Sequence, residues 1–246
     1  MRPEDNREVR VHLGCGLITP PNWVNIDGSW NAKLAKHRFL RRALHMLHFT
    51  ESSKIQVQWN PNIVIHDLRK PLPFRECSVR AVYSSHVLEH MYFEDGQRLI
   101  RECFRVLEDG GILRLVVPDL HAIVREYLGE NPFREPANDS ERLPPADQLN
   151  RRLLMKGQSP PSGNLLSRLY SAWMDFHSHK WMYDACSLTH HMELAGFVEV
   201  RQMELHQSRI SGIEQIEDPS RVQRGEGICV EGVKHCDGPV RRPASV

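Results

Sequence analysis

The run Val9-Arg10-Val11-His12-Leu13 alternates apolar and polar side chains and then meets Gly14-Cys15-Gly16. A strand that runs straight into a glycine turn constrains the fold strongly. The glycines reverse the chain tightly and bring bare backbone up to whatever lies at the strand's carboxyl end. The same arrangement recurs along the chain. Trp23 to Asp27 reads as a second short strand and Asn62 to Asp67 as a third, with a continuous apolar core at Ile63-Val64-Ile65; both finish on an aspartate. Val79 to Ser85 reads as a fourth strand and Ile112 to Val117 as a fifth, leading into Pro118-Asp119.

Between the fourth and fifth strands Leu99, Ile100, Cys103, Phe104 and Leu107 repeat at helical spacing, and Gly110-Gly111 stops the helix. Further helices are expected over His121 to Leu128 and Ser187 to Leu194, the latter ended by Gly196, with strands at Phe197 to Met203 and Ile228 to Val233. Strands alternating with helices predict an α/β fold with a mostly parallel sheet covered on both faces. At 246 residues the chain is expected to form one domain over 1–246, with its core at 9–128 and 179–234. From 129 to 178 the pattern changes: prolines cluster at 132, 136, 144, 145, 160 and 161, and helical stretches fit Arg142 to Lys156 and Leu165 to Phe176. An insertion after the fifth strand is read as a helical lid over the sheet's carboxyl edge. The stretch from about 235 to 246 reads as a disordered tail.

Composition excludes several classes. A net charge of +1 gives no general electrostatic footprint for nucleic acid, so no nucleic-acid partner is expected. No apolar run approaches the roughly 20 residues that span a bilayer, so no transmembrane segment is expected. The opening MRPEDNREVR carries both signs of charge and no apolar segment, which argues against a secretory signal and for a cytoplasmic protein. The six cysteines form no C-x-x-C pair and read as reduced thiols. Lys33, Lys36, Arg38, Arg41 and Arg42 share a stretch with Leu34, Phe39, Leu40, Leu44 and Leu47, the pattern of an amphipathic surface helix.

In open α/β sheets the ligand lies outside the carboxyl ends of the strands. Those ends here are Gly14-Cys15-Gly16, Asp27, Asp67-Leu68, Ser84-Ser85-His86 and Asp119. Glycines after the first strand admit a close ligand, a carboxylate after the second can accept both hydrogens of a ribose diol, and one after the third can accept from an adenine amino group. Together they describe an adenosine site.

Six blocks in order carry a more specific likeness: V-H-L-G-C-G (11–16), N-I-D (25–27), H-D-L-R-K-P-L-P-F (66–74), S-S-H-V-L-E-H (84–90), E-D-G-G-I-L-R-L-V-V-P-D-L (108–120) and H-M-E-L-A-G-F (191–197). The chain resembles the type 11-like class I S-adenosylmethionine-dependent methyltransferases, in particular a compact subset with a short first crossover, over about 9–128 and 179–234. H-K-W-M-Y-D (179–184) is similar to the block that precedes the penultimate helix in that subset. The resemblance implies a Rossmann-like, doubly wound, seven-stranded sheet with an antiparallel C-terminal strand, and S-adenosylmethionine as cofactor. It implies that Gly14, Cys15 and Gly16 face the methionine moiety, Asp27 the ribose, Asp67 and Leu68 the adenine, and Ser84, Ser85 and His86 the sulfonium side. One departure stands out. Only ten residues separate Gly16 from Asp27, with Pro20-Pro21 among them, where a parallel crossover normally takes a dozen or more; the first helix is expected to be missing or reduced to a turn.

Methyl transfer from a sulfonium depends mainly on positioning, and an acceptor that must lose a proton adds a need for a general base. His86, His90 and Asp119 are the catalytic candidates by position. The structural reading of His90 and Asp119 is that each starts or caps a helix. The i, i+4 spacing of His86 and His90 would place them on one helical face, but the sequence is not H-E-x-x-H and shows no third ligand, so no metal is expected; His177, His179, His190 and His191 read as polar surface or cleft residues. A nicotinamide enzyme would want a third glycine where Thr19 stands. The expected acceptor is a small molecule or saccharide, for which Trp173, Phe176, Trp181 and Tyr183 could line a cleft. The alternative is a non-catalytic S-adenosylmethionine-binding module with a degenerate fold. Ser84-Ser85-His86 is not the N-P-P-Y or D-P-P-Y type of segment associated with methylation of nucleobase amines, so DNA is disfavoured as acceptor.

Overall fold

The computed structural model describes residues 8–29, 32–33, 59–130, 144–154, 178–222 and 227–236. The expected basic helix beyond Lys33, the insertion's second helical stretch with Trp173 and Phe176, His177, and the tail beyond 236 lie outside these residues. Seven strands form one sheet: β1 Arg10–Leu13, β2 Val24–Asp27, β3 Val64–Ile65, β4 Val79–Ser85, β5 Leu107–Pro118, β6 Val198–Met203 and β7 Gly227–Val233. Their order is β3-β2-β1-β4-β5-β7-β6. β1 to β5 run parallel, and β7 is antiparallel to both β5 and β6. The strand order reverses between β1 and β4, which is where a doubly wound sheet opens its ligand crevice. β4 is buried along nearly its whole length, as a central parallel strand must be when both faces are covered. β3 is only two residues long, shorter than the apolar run that announced it.

One face is covered by α1, Phe93–Val106, and by α4, Ala185–Leu194. Leu99, Ile100, Cys103 and Val106 of α1 and Leu188 and Met192 of α4 are buried with Val11, Leu13, Val82, Leu113 and Val230 of the sheet, each large apolar side chain contributing about 1.5–3 kcal/mol by leaving water. Glu94 and Asp95 in the first turn of α1 and Arg105 in its last complement the helix dipole. Arg105 also donates to the carbonyls of Leu72 (3.1 Å) and Phe74 (3.1 Å), and Glu102 accepts from Leu72 N–H (2.8 Å), so the P-L-P-F loop is held against the helix. α2, Leu120–Tyr127, follows β5, and α3, Pro145–Leu153, packs on it. Glu126 and Arg152 pair between them (3.2 Å).

The first crossover contains no helix: residues 14–23 are turns and irregular chain, as the short spacing predicts. Ile18 N–H bonds Cys15 O (3.0 Å) and Trp23 N–H bonds Pro20 O (3.2 Å). The face that a helix would have covered is closed from the other end of the chain. Ile210, Ile213 and Ile216, in the segment between β6 and β7, pack with Trp23, Ala81, Tyr83, Ile112, Val116 and Cys229. This segment is fixed by Arg114 of β5, fully buried, which donates to Glu217 Oε1 (2.9 Å) and Oε2 (3.0 Å) and to the carbonyls of Glu204 (3.0 Å) and Gln207 (2.9 Å), and reaches Glu231 Oε2 at 3.4 Å.

Candidate functional site

Gly14 and Gly16 both have positive φ, +65° and +53°, backbone that L side chains adopt at a cost of roughly 1–2 kcal/mol. They differ in what surrounds them. A β-carbon at Gly14 would collide with Val87 Cγ2, so the chain leaving β4 presses directly on the glycine turn; at Gly16 it would meet nothing within 4 Å among the described residues. Asp27, 6% exposed at the end of β2, ties the turn down: Oδ2 accepts Gly16 N–H (2.9 Å) and Oδ1 accepts Ser29 N–H (2.7 Å). Each oxygen keeps a further lone pair for another donor. Cys15 N–H bonds Ile26 O (3.0 Å), and burial, reinforced by Asp27, pushes the Cys15 thiol up to about 12. The thiol stays neutral, and it is the backbone of this residue that the turn presents.

Ser84 Oγ donates to Leu13 O (3.3 Å), joining β4 to β1. Ser85 is buried, and its carbonyl accepts from Arg221 (3.0 Å). Asp67 follows β3, with His66 N–H bonded to Asp27 O (3.3 Å). Its carboxylate is gripped bidentately by Arg69 (2.9 and 2.8 Å), and this bonding holds its pKa down at about 2. Leu68 packs against the main core. The five strand ends chosen from sequence thus converge on one edge. At this edge the space beside Gly16 is open among the described residues and Asp27 keeps lone pairs for further donors, whereas the Asp67 carboxylate is already engaged by Arg69.

The segment after β4 departs from the expected helical face. His86 stands outside any helix at φ 55°, and only Leu88–His90 form a single 3-10 turn. His86 and His90 consequently lie on either side of Glu89. His86 has an oxygen at each ring nitrogen: Nδ1 is 3.1 Å from Glu89 Oε1 and Nε2 is 3.2 Å from Arg221 O. His90 Nδ1 is 3.3 Å from Ser178 O, and its Nε2 is 4.0 Å from Glu89 Oε1. Asp119 caps α2, accepting His121 N–H at 3.0 Å, as its structural reading anticipates.

The H-K-W-M-Y-D block threads between these ends. Lys180 and Trp181 N–H groups donate to Glu89 O (2.7 and 3.3 Å), Lys180 Nζ donates to His90 O (3.0 Å), and Leu120 N–H donates to Tyr183 O (2.9 Å). This brings His179 within a ring-centroid distance of 5.0 Å of His90. Tyr183 is buried with its hydroxyl unpaired among the described residues, and burial, then Glu89, pushes its pKa up to about 12. Trp181 is exposed and packs on Phe93. Glu89 and Arg221 were not singled out as site residues from sequence, and His179 and Tyr183 were named only as residues of a cleft. The only signal for Glu89 was its place between two histidines.

Among the described residues no helix is long and apolar enough to cross a membrane. The family model "Methyltransferase domain" matches residues 31–115. A search of curated protein sequences gives no match. Similar solved structures include PigF with SAH (15% identity, covering 92% of this chain and 50% of that one, TM-score 0.42). A SAM-dependent methyltransferase from Thermotoga maritima, described as a possible histamine N-methyltransferase, is 16% identical over 92% of this chain and 82% of its own (TM-score 0.42). The YcgJ protein from Bacillus subtilis is 14% identical over 93% of each chain (TM-score 0.45). The chain thus spans half the length of PigF and most of the other two. The family match takes in β3, β4, α1 and most of β5, about a third of the chain, and the glycine turn after β1 lies outside it. The chain belongs to the class I S-adenosylmethionine-dependent methyltransferases, and S-adenosylmethionine is its cofactor.

Proposed function

We propose that the chain transfers the methyl group of S-adenosylmethionine to a small-molecule or saccharide acceptor. The observation that carries this reading is the Asp27 carboxylate bonded to Gly16 N–H at 2.9 Å, beside space that is open among the described residues. Besides holding the turn, each oxygen keeps a lone pair, which suits the carboxylate to a ribose diol. In this proposal Gly14, Cys15 and Gly16 offer backbone to the methionine moiety, Asp27 takes the ribose, Asp67 and Leu68 flank the adenine, and Ser84, Ser85 and His86 border the sulfonium. When bound, the cofactor supplies an electrophilic methyl carbon whose departure leaves a neutral thioether.

The chain's own contribution is then orientation, water exclusion and proton handling. A group that accepts the acceptor's proton within hydrogen-bond reach contributes about 100- to 10,000-fold. Of the three candidates, Asp119 already accepts a helix N–H and His86 has an oxygen at each nitrogen. Of the three, we assign the role to His90, whose Nδ1 lies 3.3 Å from Ser178 O. The insertion over about 129–178 supplies acceptor selectivity in this reading, since class I domains differ there more than in the core.

Incubation of the full chain with methyl-tritiated cofactor and a panel of saccharides, small hydroxylated metabolites, duplex DNA and protein is the test. Label in the saccharide or small-molecule fraction, lost in His90→Ala, is expected. Label in DNA or protein would overturn the acceptor class, and cofactor binding with no transfer to any acceptor would favour a binding module.

A further inference from the structure

We propose that Arg221, in the segment between β6 and β7, binds the α-carboxylate of the cofactor's methionine moiety; this rests on the methyltransferase reading. Arg221 comes from the far end of the chain to the place where that moiety is assigned. Its Nη1 donates to Ser85 O at 3.0 Å, across 136 residues of sequence. Together with His12, Gly14, Cys15, Ser85 and Asp218 it lines a small cavity. The cavity thus lies between the glycine turn after β1 and the end of β4, the two strands where the sheet order reverses.

The lining has unused polar capacity. His12 and Ser85 are buried, and among the described residues His12 Nδ1 and Ser85 Oγ make no hydrogen bond; interiors rarely leave such atoms unmatched. The guanidinium is also only partly engaged. Asp218 Oδ2 stands 4.0 Å from Arg221 Nε, beyond hydrogen-bond reach, and the two side chains are 39% and 36% exposed, so the pair is weak. Asp218 Oδ1 is itself taken by Ser220 N–H (2.9 Å) and Ser220 Oγ (2.8 Å). The cavity holds no more than one water-sized group. A carboxylate can therefore present one oxygen to it while the guanidinium grips from the rim, a charge-assisted pairing that suits the planar fork of arginine.

The missing first helix supplies the second argument. In sheets of this kind the helix after β1 aims its N-terminus, the positive end of its dipole, at the anionic part of a ligand. Here that crossover is irregular chain. The segment that covers the same face with Ile210, Ile213 and Ile216 runs on into a 3-10 turn, Pro219–Arg221, and so delivers a full positive charge where the helix end is lacking. Arg221 is fixed there from both sides, because its carbonyl lies 3.2 Å from His86 Nε2 while its side chain holds Ser85 O. A cation at this point attracts the carboxylate and repels the ammonium and the sulfonium, so it sets which way round the amino-acid end lies.

The test is calorimetric titration of the full chain, wild type and Arg221→Gln, with S-adenosylhomocysteine and with its α-carboxamide. The wild-type chain is expected to bind the carboxamide at least about tenfold more weakly. In Arg221→Gln, S-adenosylhomocysteine should weaken at least about tenfold and the carboxamide less than about twofold, so that the two ligands bind alike. A carboxamide that binds the wild-type chain as tightly as S-adenosylhomocysteine overturns the proposal and leaves the methyltransferase reading standing. A loss that falls equally on both ligands also overturns it, since a merely structural Arg221 would act that way. Should the variant not fold, phenylglyoxal modification of the wild-type chain decides: protection of Arg221 by S-adenosylhomocysteine and not by the carboxamide supports the assignment, and equal modification with and without S-adenosylhomocysteine refutes it. No binding of either ligand removes the methyltransferase reading and this proposal with it.

Discussion

Two buried carboxylate clusters flank the central strands of this sheet, and they are paired in opposite ways. At Arg114 everything is satisfied: all of the guanidinium's donors are directed at Glu217, Glu231 or the carbonyls of Glu204 and Gln207, while His206 N–H, Ser208 Oγ and Arg209 N–H supply further donors to the two carboxylates. At Glu89 the carboxylate is equally buried, yet it faces two imidazoles and an unpaired Tyr183 hydroxyl and accepts no hydrogen bond among the described residues. The first cluster is complete without any ligand, and it fixes the segment that replaces the absent first helix. The second is incomplete and stands at the carboxyl edge, where the chemistry is expected. Completeness separates polar groups that hold a fold from polar groups that await something.

Five substitutions sharpen or break this contrast. Arg114→Met strands two carboxylates in the core and should cost about 3–5 kcal/mol in urea unfolding; a loss under about 1 kcal/mol would mean the first cluster is not a structural staple. Gly14→Ala, which drives a β-carbon into Val87 at positive φ, should cost roughly 2–3 kcal/mol and weaken S-adenosylhomocysteine binding. Gly16→Ala has the same φ problem but open space among the described residues, and should cost about 1–2 kcal/mol. Equal losses would indicate that the contact with Val87 does not matter.

A third buried polar group, His12 of β1, sets an acid limit. Burial first, and then Arg221, hold its pKa down from 6.5 to about 3. The folded state thus keeps it neutral, while the unfolded chain takes a proton as pH falls below 6.5; its stabilising contribution is complete above 6.5 and is lost progressively toward about 3. Between pH 6.5 and pH 5 the loss should approach about 2 kcal/mol, and His12→Gln should flatten that slope; an unchanged slope would assign the acid sensitivity to other groups. The smallest effect is expected at the incomplete cluster. Glu89→Gln removes no aligned hydrogen bond and neutralises a buried carboxylate that has no donor among the described residues, so it should cost no stability in urea unfolding, whereas a loss like that of Arg114→Met would show Glu89 to be structural.

Much of this was legible in the sequence. The fourth strand falls on Val79–Ser85 as its apolar run indicates, and Pro20-Pro21 in a ten-residue gap announces the missing helix. The strand ends follow from where alternation meets glycine or aspartate. What replaces the helix was not legible, because Ile210, Ile213 and Ile216 are isolated apolar residues in a polar segment and only the fold turns them toward Trp23 and Tyr83. The Glu89 cluster was misread for a related reason. The spacing of His86 and His90 suggests a helical face, but His86 takes a left-handed conformation and a single 3-10 turn follows. The residue beside the cluster, His179, is separated from it in the chain by α1, β5, α2 and α3, and backbone hydrogen bonds from Lys180 and Trp181 to Glu89 bring it in.

Calorimetric titration of the full chain with S-adenosylhomocysteine, with NADH as control and Asp27→Ala in parallel, tests the central claim most directly. One equivalent of S-adenosylhomocysteine bound in the micromolar range, weakened at least tenfold in Asp27→Ala, and no heat from NADH is the result predicted. No binding to the wild-type chain, or an affinity indifferent to the loss of the Asp27 carboxylate, would contradict the site described.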